Sequence, residues 1–62
     1  HIVAVKHGIE IYNANGQEVR VFSVDGKLIH SEKIAGEHHS ISLSNGAYII
    51  TAGNTTQEVM VL

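Results

Sequence analysis

Six glycines stand at positions 8, 16, 26, 36, 46 and 53, and four of them lie ten residues apart. This spacing constrains the fold more than any other feature of the chain, because one strand plus one tight turn takes about 8–12 residues. The segments that follow the four glycines ("GQEVRVFSVD", "GKLIHSEKIA", "GEHHSISLSN", "GAYIITAGNT") share little beyond the glycine itself. The period therefore marks turns and not a duplicated unit. Three of the glycines follow Asn or Asp, as Asn15-Gly16, Asp25-Gly26 and Asn45-Gly46. Such pairs accept the positive φ angles that hairpin turns require.

Between the turns the apolar residues recur with a period of two. Ile9 and Ile11 alternate with Glu10 and Tyr12, Ile41 and Leu43 with Ser40 and Ser42, and Val59 and Val61 with Glu58 and Met60. Each set places one face inward and one outward. The run Val19, Val21, Phe22, Val24 changes phase between 21 and 22, which predicts a bulge or a strand covered on both faces. "AYIITA" is apolar on both faces, as expected of a strand buried inside a sandwich. No window carries apolar residues at helical spacing, and β-branched residues are abundant. Seven strands are predicted, at 2–6, 9–13, 17–24, 27–34, 38–43, 47–52 and 56–62. Two packed antiparallel sheets bury them, giving an all-β sandwich.

At 62 residues the chain is one domain, and it buries only about 60% of the surface its unfolded form exposes. It has no cysteine, so neither a disulfide nor a thiolate metal site can brace it. Val and Ile must supply the core. Six acids outnumber four scattered bases, for a net charge of −2. That balance offers no electrostatic footprint for nucleic acid or anionic lipid. The opening apolar run "IVAV" is far too short to cross a bilayer. The chain begins with His1 and not Met, and is read as a piece of something longer.

The reactive residue types do not assemble into a motif. Zinc needs three or four converging ligands. Of His1, His7, His30, His38 and His39, the adjacent pair 38/39 must point to opposite faces of a strand. No metal or cofactor site is expected; the histidines read as surface or rim residues. Ser23, Ser31, Ser40, Ser42 and Ser44 have no nucleophile elbow around them. Glu32 and Glu37 flank a turn and do not face each other across a cleft. Asn54-Thr55-Thr56 fits the glycosylation acceptor pattern, and reads first as a polar turn between the last two strands. Tyr48 is expected to seal a sandwich edge with its hydroxyl in water. An enzyme is not expected.

The order of three blocks adds a resemblance. Val19, Val21, Phe22, Ser23, Val24, Gly26, Lys27 and Ile29 form the first, and Ile41, Leu43, Gly46, Tyr48, Ile49 and Ile50 the second. Val59 and Val61 in the last strand form the third. The series resembles the C-terminal sorting domains of the type IX secretion system of Bacteroidetes. It is equally similar to related C-terminal sandwiches of unassigned function on Bacteroides surface proteins. The resemblance implies that residues 1–62 are a single Ig-like, seven-stranded C-terminal module of a larger exported protein. It also implies passage through the periplasm to the outer membrane, cell surface or medium. The partner it implies is a protein: the secretion or anchoring machinery, or the parent's own preceding domain. Gly26, Lys27, Gly46, Tyr48, Ile50, Val59, Val61 and Leu62 are the positions it offers as a recognition surface. The last strand, if at a sheet edge, would dock by strand addition. An Ig-like accessory or adhesion module, and a structural cap on a larger surface protein, are the alternatives.

Overall fold

A computed structural model describes all 62 residues. Seven strands follow one another without a helix: β1 (Ile2–Val5), β2 (Gly8–Tyr12), β3 (Glu18–Ser23), β4 (Leu28–Lys33), β5 (His38–Ser42), β6 (Gly46–Ala52) and β7 (Thr55–Val61). Each lies within one residue of its predicted limits. No helix is long and apolar enough to cross a membrane. The strands form a three-stranded sheet, β1-β2-β5, and a four-stranded sheet, β4-β3-β6-β7. All five pairings are antiparallel. The hairpins β1-β2, β3-β4 and β6-β7 stay within a sheet, while the β2–β3, β4–β5 and β5–β6 connections cross between sheets. This is an Ig-like Greek-key sandwich, with the fourth strand carried on the sheet of the third, sixth and seventh.

Glycine makes two of these features sterically accessible. Asp25-Gly26 turns β3 into β4 with Gly26 at φ 91, in the left-handed region that side chains disfavour. Gly8 opens β2 opposite Ser42, where a Cβ would lie 2.3 Å from the Ile41 carbonyl oxygen. Only a bare backbone lets β5 approach β2 there.

The period of two fills the core. Ile2, Ile9, Ile11 and Ile41 face inward from one sheet; Val19, Val21, Tyr48, Ile50, Ala52, Val59 and Val61 face them from the other. Ala14 and Ile34 close the ends from the loops. The phase change at 21/22 is a bulge, and it falls on β4: Val21 pairs with His30 and Phe22 with Leu28, leaving Ile29 extra. Against β6 the same part of β3 keeps an unbroken register. Leu28 and Ile29 are consequently both about half exposed, at 50% and 48%.

Two expectations need correction. β6 is not covered on both faces: Tyr48, Ile50 and Ala52 are buried, whereas Ala47, Ile49 and Thr51 are half-buried. No second layer lies over its outer face, where Ile49 is flanked by Phe22 on β3 and Glu58 on β7. Tyr48 does not hold its hydroxyl in water at an edge. It is a core residue, 9% exposed, and its hydroxyl donates to the Ser44 carbonyl at 2.8 Å. A tyrosine near the start of the sixth strand that bonds the backbone just upstream is the tyrosine corner of Ig-like sandwiches. "SNGAY" is thus the corner where the chain crosses from one sheet to the other.

Candidate functional site

A two-layer sandwich has two seams, one along each side, where the edge strands of its sheets meet. Backbone alternation shows which groups face them, because residues that bond a neighbour alternate with residues that point away. In β1, His1 exchanges bonds with Tyr12, so Ile2 and Ala4 point away from β2. In β7 the Leu62 carbonyl points away from β6 and accepts from the His7 N–H at 2.8 Å. Gln57 Nε2 donates to the Ile2 carbonyl at 3.0 Å. These two bonds pin β1 alongside β7 in parallel, from Ile2 beside Gln57 to His7 beside Leu62. His7 holds φ 66 in the intervening turn, and its carbonyl accepts from Leu43 N–H. The β7 edge is therefore shielded by β1.

What this seam leaves open is an apolar mouth. Ala4, Val5, Met60 and Leu62, with Lys6 at the rim, line a shallow depression of about 350 Å³. Met60 is 60% exposed and Leu62 74%.

The opposite seam is different. Ile34 N–H and C=O bond Gln17 and Gly16, so in β4 the backbone groups of Ser31 and Lys33 point away from β3. In β5, Glu37 C=O and Leu43 N–H bond toward β2, so those of His38, Ser40 and Ser42 point outward. The two edges do not pair. Between them lies an open cleft of about 280 Å³ lined by Ile29, His30, Glu32, Ser40, Ile41, Ser42 and Leu43.

Only side chains span this cleft. His30 and Glu32 occupy inward positions opposite Val21 and Val19, and His39 the inward position opposite Ile11. Glu32 Oε1 takes His30 Nε2 and its Oε2 takes His39 Nε2, each at 2.8 Å. One carboxylate thus satisfies an imidazole from each sheet. Its pKa is held below the usual range, chiefly by the bond from His30 and further by that from His39.

A second cluster covers the outer face of the three-stranded sheet. The Ser40 hydroxyl donates to Glu10 Oε2 at 2.6 Å, and His38 Nε2 bonds Glu10 Oε1. The Ser40 bond first, and then the His38 bond, hold the Glu10 carboxyl below its usual range. Tyr12 stacks on His38 with ring centroids 4.8 Å apart, and the His1 ring lies 6.0 Å from Tyr12. Serine, histidine and acid meet here in the wrong order for nucleophilic catalysis. Both Ser40 and His38 converge on the carboxylate, so the imidazole does not act as base to the hydroxyl. His38 and His39 serve opposite faces, and no group of three or more His, Asp or Glu is placed to hold a metal ion.

The resemblance positions separate accordingly. Tyr48, Ile50, Val59 and Val61 are core, so their side chains cannot form a recognition surface and they act as scaffold. Gly26 and Lys27 are exposed in the β3–β4 turn, Gly46 is half-buried at the start of β6, and Leu62 is exposed. The sequence reading missed Glu32 as a cross-sheet bridge and Gln57 as a clasp. The signal for the first was present, since the period of two through Val19 and Val21 places His30 and Glu32 inward.

A family model matches residues 1–61, which takes in all seven strands. The chain belongs to the DUF6383 family. Its description is a domain of unknown function, so the seams and faces of this DUF6383 sandwich carry the functional argument. Comparison with curated proteins gives no match, and comparison with solved structures gives none either.

Proposed function

We propose that this domain is a non-catalytic interaction module of a larger exported protein. In this reading it resembles a type IX sorting or surface-anchoring domain and docks a protein partner of the export or anchoring machinery. The observation that carries it is the exposed apolar mouth formed by Val5, Met60 and Leu62 beside Lys6, at the end of the last strand. Exposed apolar side chains gathered around a depression favour contact with a partner over contact with water. A partner presenting apolar side chains and an acid opposite Lys6 fits this face. Because β1 covers the β7 edge, docking uses the face of the terminal strand and not strand addition at that edge.

Fusing residues 1–62 to a periplasmic reporter in a type IX-competent host tests the reading. Surface delivery of the reporter, lost on Leu62→Glu with the fold intact by circular dichroism, supports it. Retention of the unmodified fusion in the periplasm overturns it.

One observation favours an accessory or adhesion role instead, the Tyr12–His38 stack flanked by Glu10 and Ser40 on the outer face. Flat rings beside hydrogen-bonding groups suit a sugar. Glycan-array binding that disappears in Tyr12→Ala would support that reading, and a flat array would remove it.

A further inference from the structure

We infer that two copies of this domain pair through β4, antiparallel about a two-fold axis at Ser31, to make one continuous eight-stranded sheet. Three observations lead there. First, β4 is an edge whose Ser31 and Lys33 backbone groups are directed away from β3 with no strand to receive them. The β7 edge is shielded by β1, so β4 is the open margin of the larger sheet.

Second, β4 is self-complementary in that register. A two-fold strand pair is isologous, so each residue meets the residue at the mirrored position of the other copy. Outward-pointing groups must oppose outward-pointing groups, which restricts the axis to a residue and not to a gap between residues. Centred on Ser31, the pairing sets His30 against Glu32 of the second copy and Glu32 against its His30, on the same inward face. Ile29 meets the aliphatic stem of Lys33, and no like charges are opposed. Centring on His30 instead opposes Lys27 to Lys33 and imidazole to imidazole; centring on Glu32 opposes the two carboxylates. Cross-strand opposite charges favour pairing and like charges oppose it. The charge pattern of "KLIHSEK" thus selects one register.

Third, Leu28 and Ile29 are both half exposed at this margin, and no proline interrupts β4. The β5 edge is also open, but "HHSIS" pairs with itself without charge complementarity. A sheet joined at β4 places the two Glu32–His39 bridges on either side of the junction, with the clefts facing each other.

The chain has no cysteine, so single-cysteine variants report the register directly. Across a hydrogen-bonded antiparallel pair the Cα atoms lie about 5.5 Å apart, within disulfide reach. Under mild oxidation, Ser31→Cys is expected to form a disulfide-linked dimer, while Ser40→Cys on β5 and Met60→Cys on β7 stay monomeric. Without oxidation, sedimentation equilibrium is expected to show a reversible dimer. Ser31→Pro abolishes it with the strand spectrum intact, because the lost N–H serves no bond inside the protomer. Glu32→Lys weakens the dimer by about tenfold, as each His30 loses the carboxylate opposite it across the junction. Cross-linking at residue 40 or 60 in place of 31, or a chain that stays monomeric at millimolar concentration, overturns the proposal.

Discussion

Along one side of the sandwich, β1 and β7 are pinned by an amide-to-carbonyl bond and a backbone bond, with apolar side chains around what is left open. Along the other side, β4 and β5 stand apart, and the Glu32 carboxylate reaches across to His39. The topology is the same on both sides, for each seam joins one edge of each sheet. The means of closure differ in their response to conditions. Neutral hydrogen bonds beside apolar groups hold over the whole pH range, whereas a bridge built on a carboxylate holds only while that group is ionised. The pinned side gives a fixed surface for a partner to read. The spanned side leaves strand margins that can accept another strand.

The largest effect is expected at the pinned end. Gly8→Val drives a side chain into the Ile41 carbonyl beside the His7 clasp. Overpacking against backbone costs about 3 kcal/mol or more, a large part of the stability of so small a domain, and urea denaturation measures it. Next comes Gln57→Leu, which leaves the Ile2 carbonyl without its donor and should cost about 1–2 kcal/mol by the same method. Tyr48→Phe removes one hydroxyl bond to Ser44 and should cost about 1 kcal/mol, with the core unchanged. A larger loss would mean that the corner also sets the position of β6.

The smallest effect belongs to the spanned seam and fades in acid. Glu32, Glu10 and Asp25 have folded-state pKa values below their ordinary ones, through the His30, Ser40 and Ser23 bonds respectively. Their contribution is fully present above the ordinary carboxylate value, near pH 4.5 for the two glutamates, and fades as pH falls through the lowered values. Glu32→Gln should therefore lower the neutral-pH midpoint slightly and flatten the decline of stability below about pH 4.5, so that the two proteins converge in acid. An equal decline in the variant would remove the bridge from the account of that seam.

Much of the fold was readable from the residues because its determinants are local. Asx-Gly pairs and a period of two set seven strands to within a residue; a bulge does fall at 21/22, but its extra residue lies on β4 and β3 itself keeps its alternation. The strand that carries the extra residue was not readable, since a bulge belongs to a pair and the partner of β3 must be known first. Tyr48 was misplaced for a related reason: its hydroxyl looked as if it needed water, and its partner is a carbonyl four residues upstream at the crossing. The seams were out of reach altogether. Gln57 meets Ile2 across 55 residues, and Glu32 meets His39 only after the chain has crossed between sheets. Adjacency of edge strands is decided by topology, which periodicity does not encode.

Amide hydrogen exchange at low protein concentration tests the contrast between the seams most directly. The His7 N–H should be protected, because Leu62 accepts from it, while Ser31, Lys33, Ser40 and Ser42 should exchange at nearly the unprotected rate. Protection at those four positions in a dilute monomer, or a freely exchanging His7, would contradict the account.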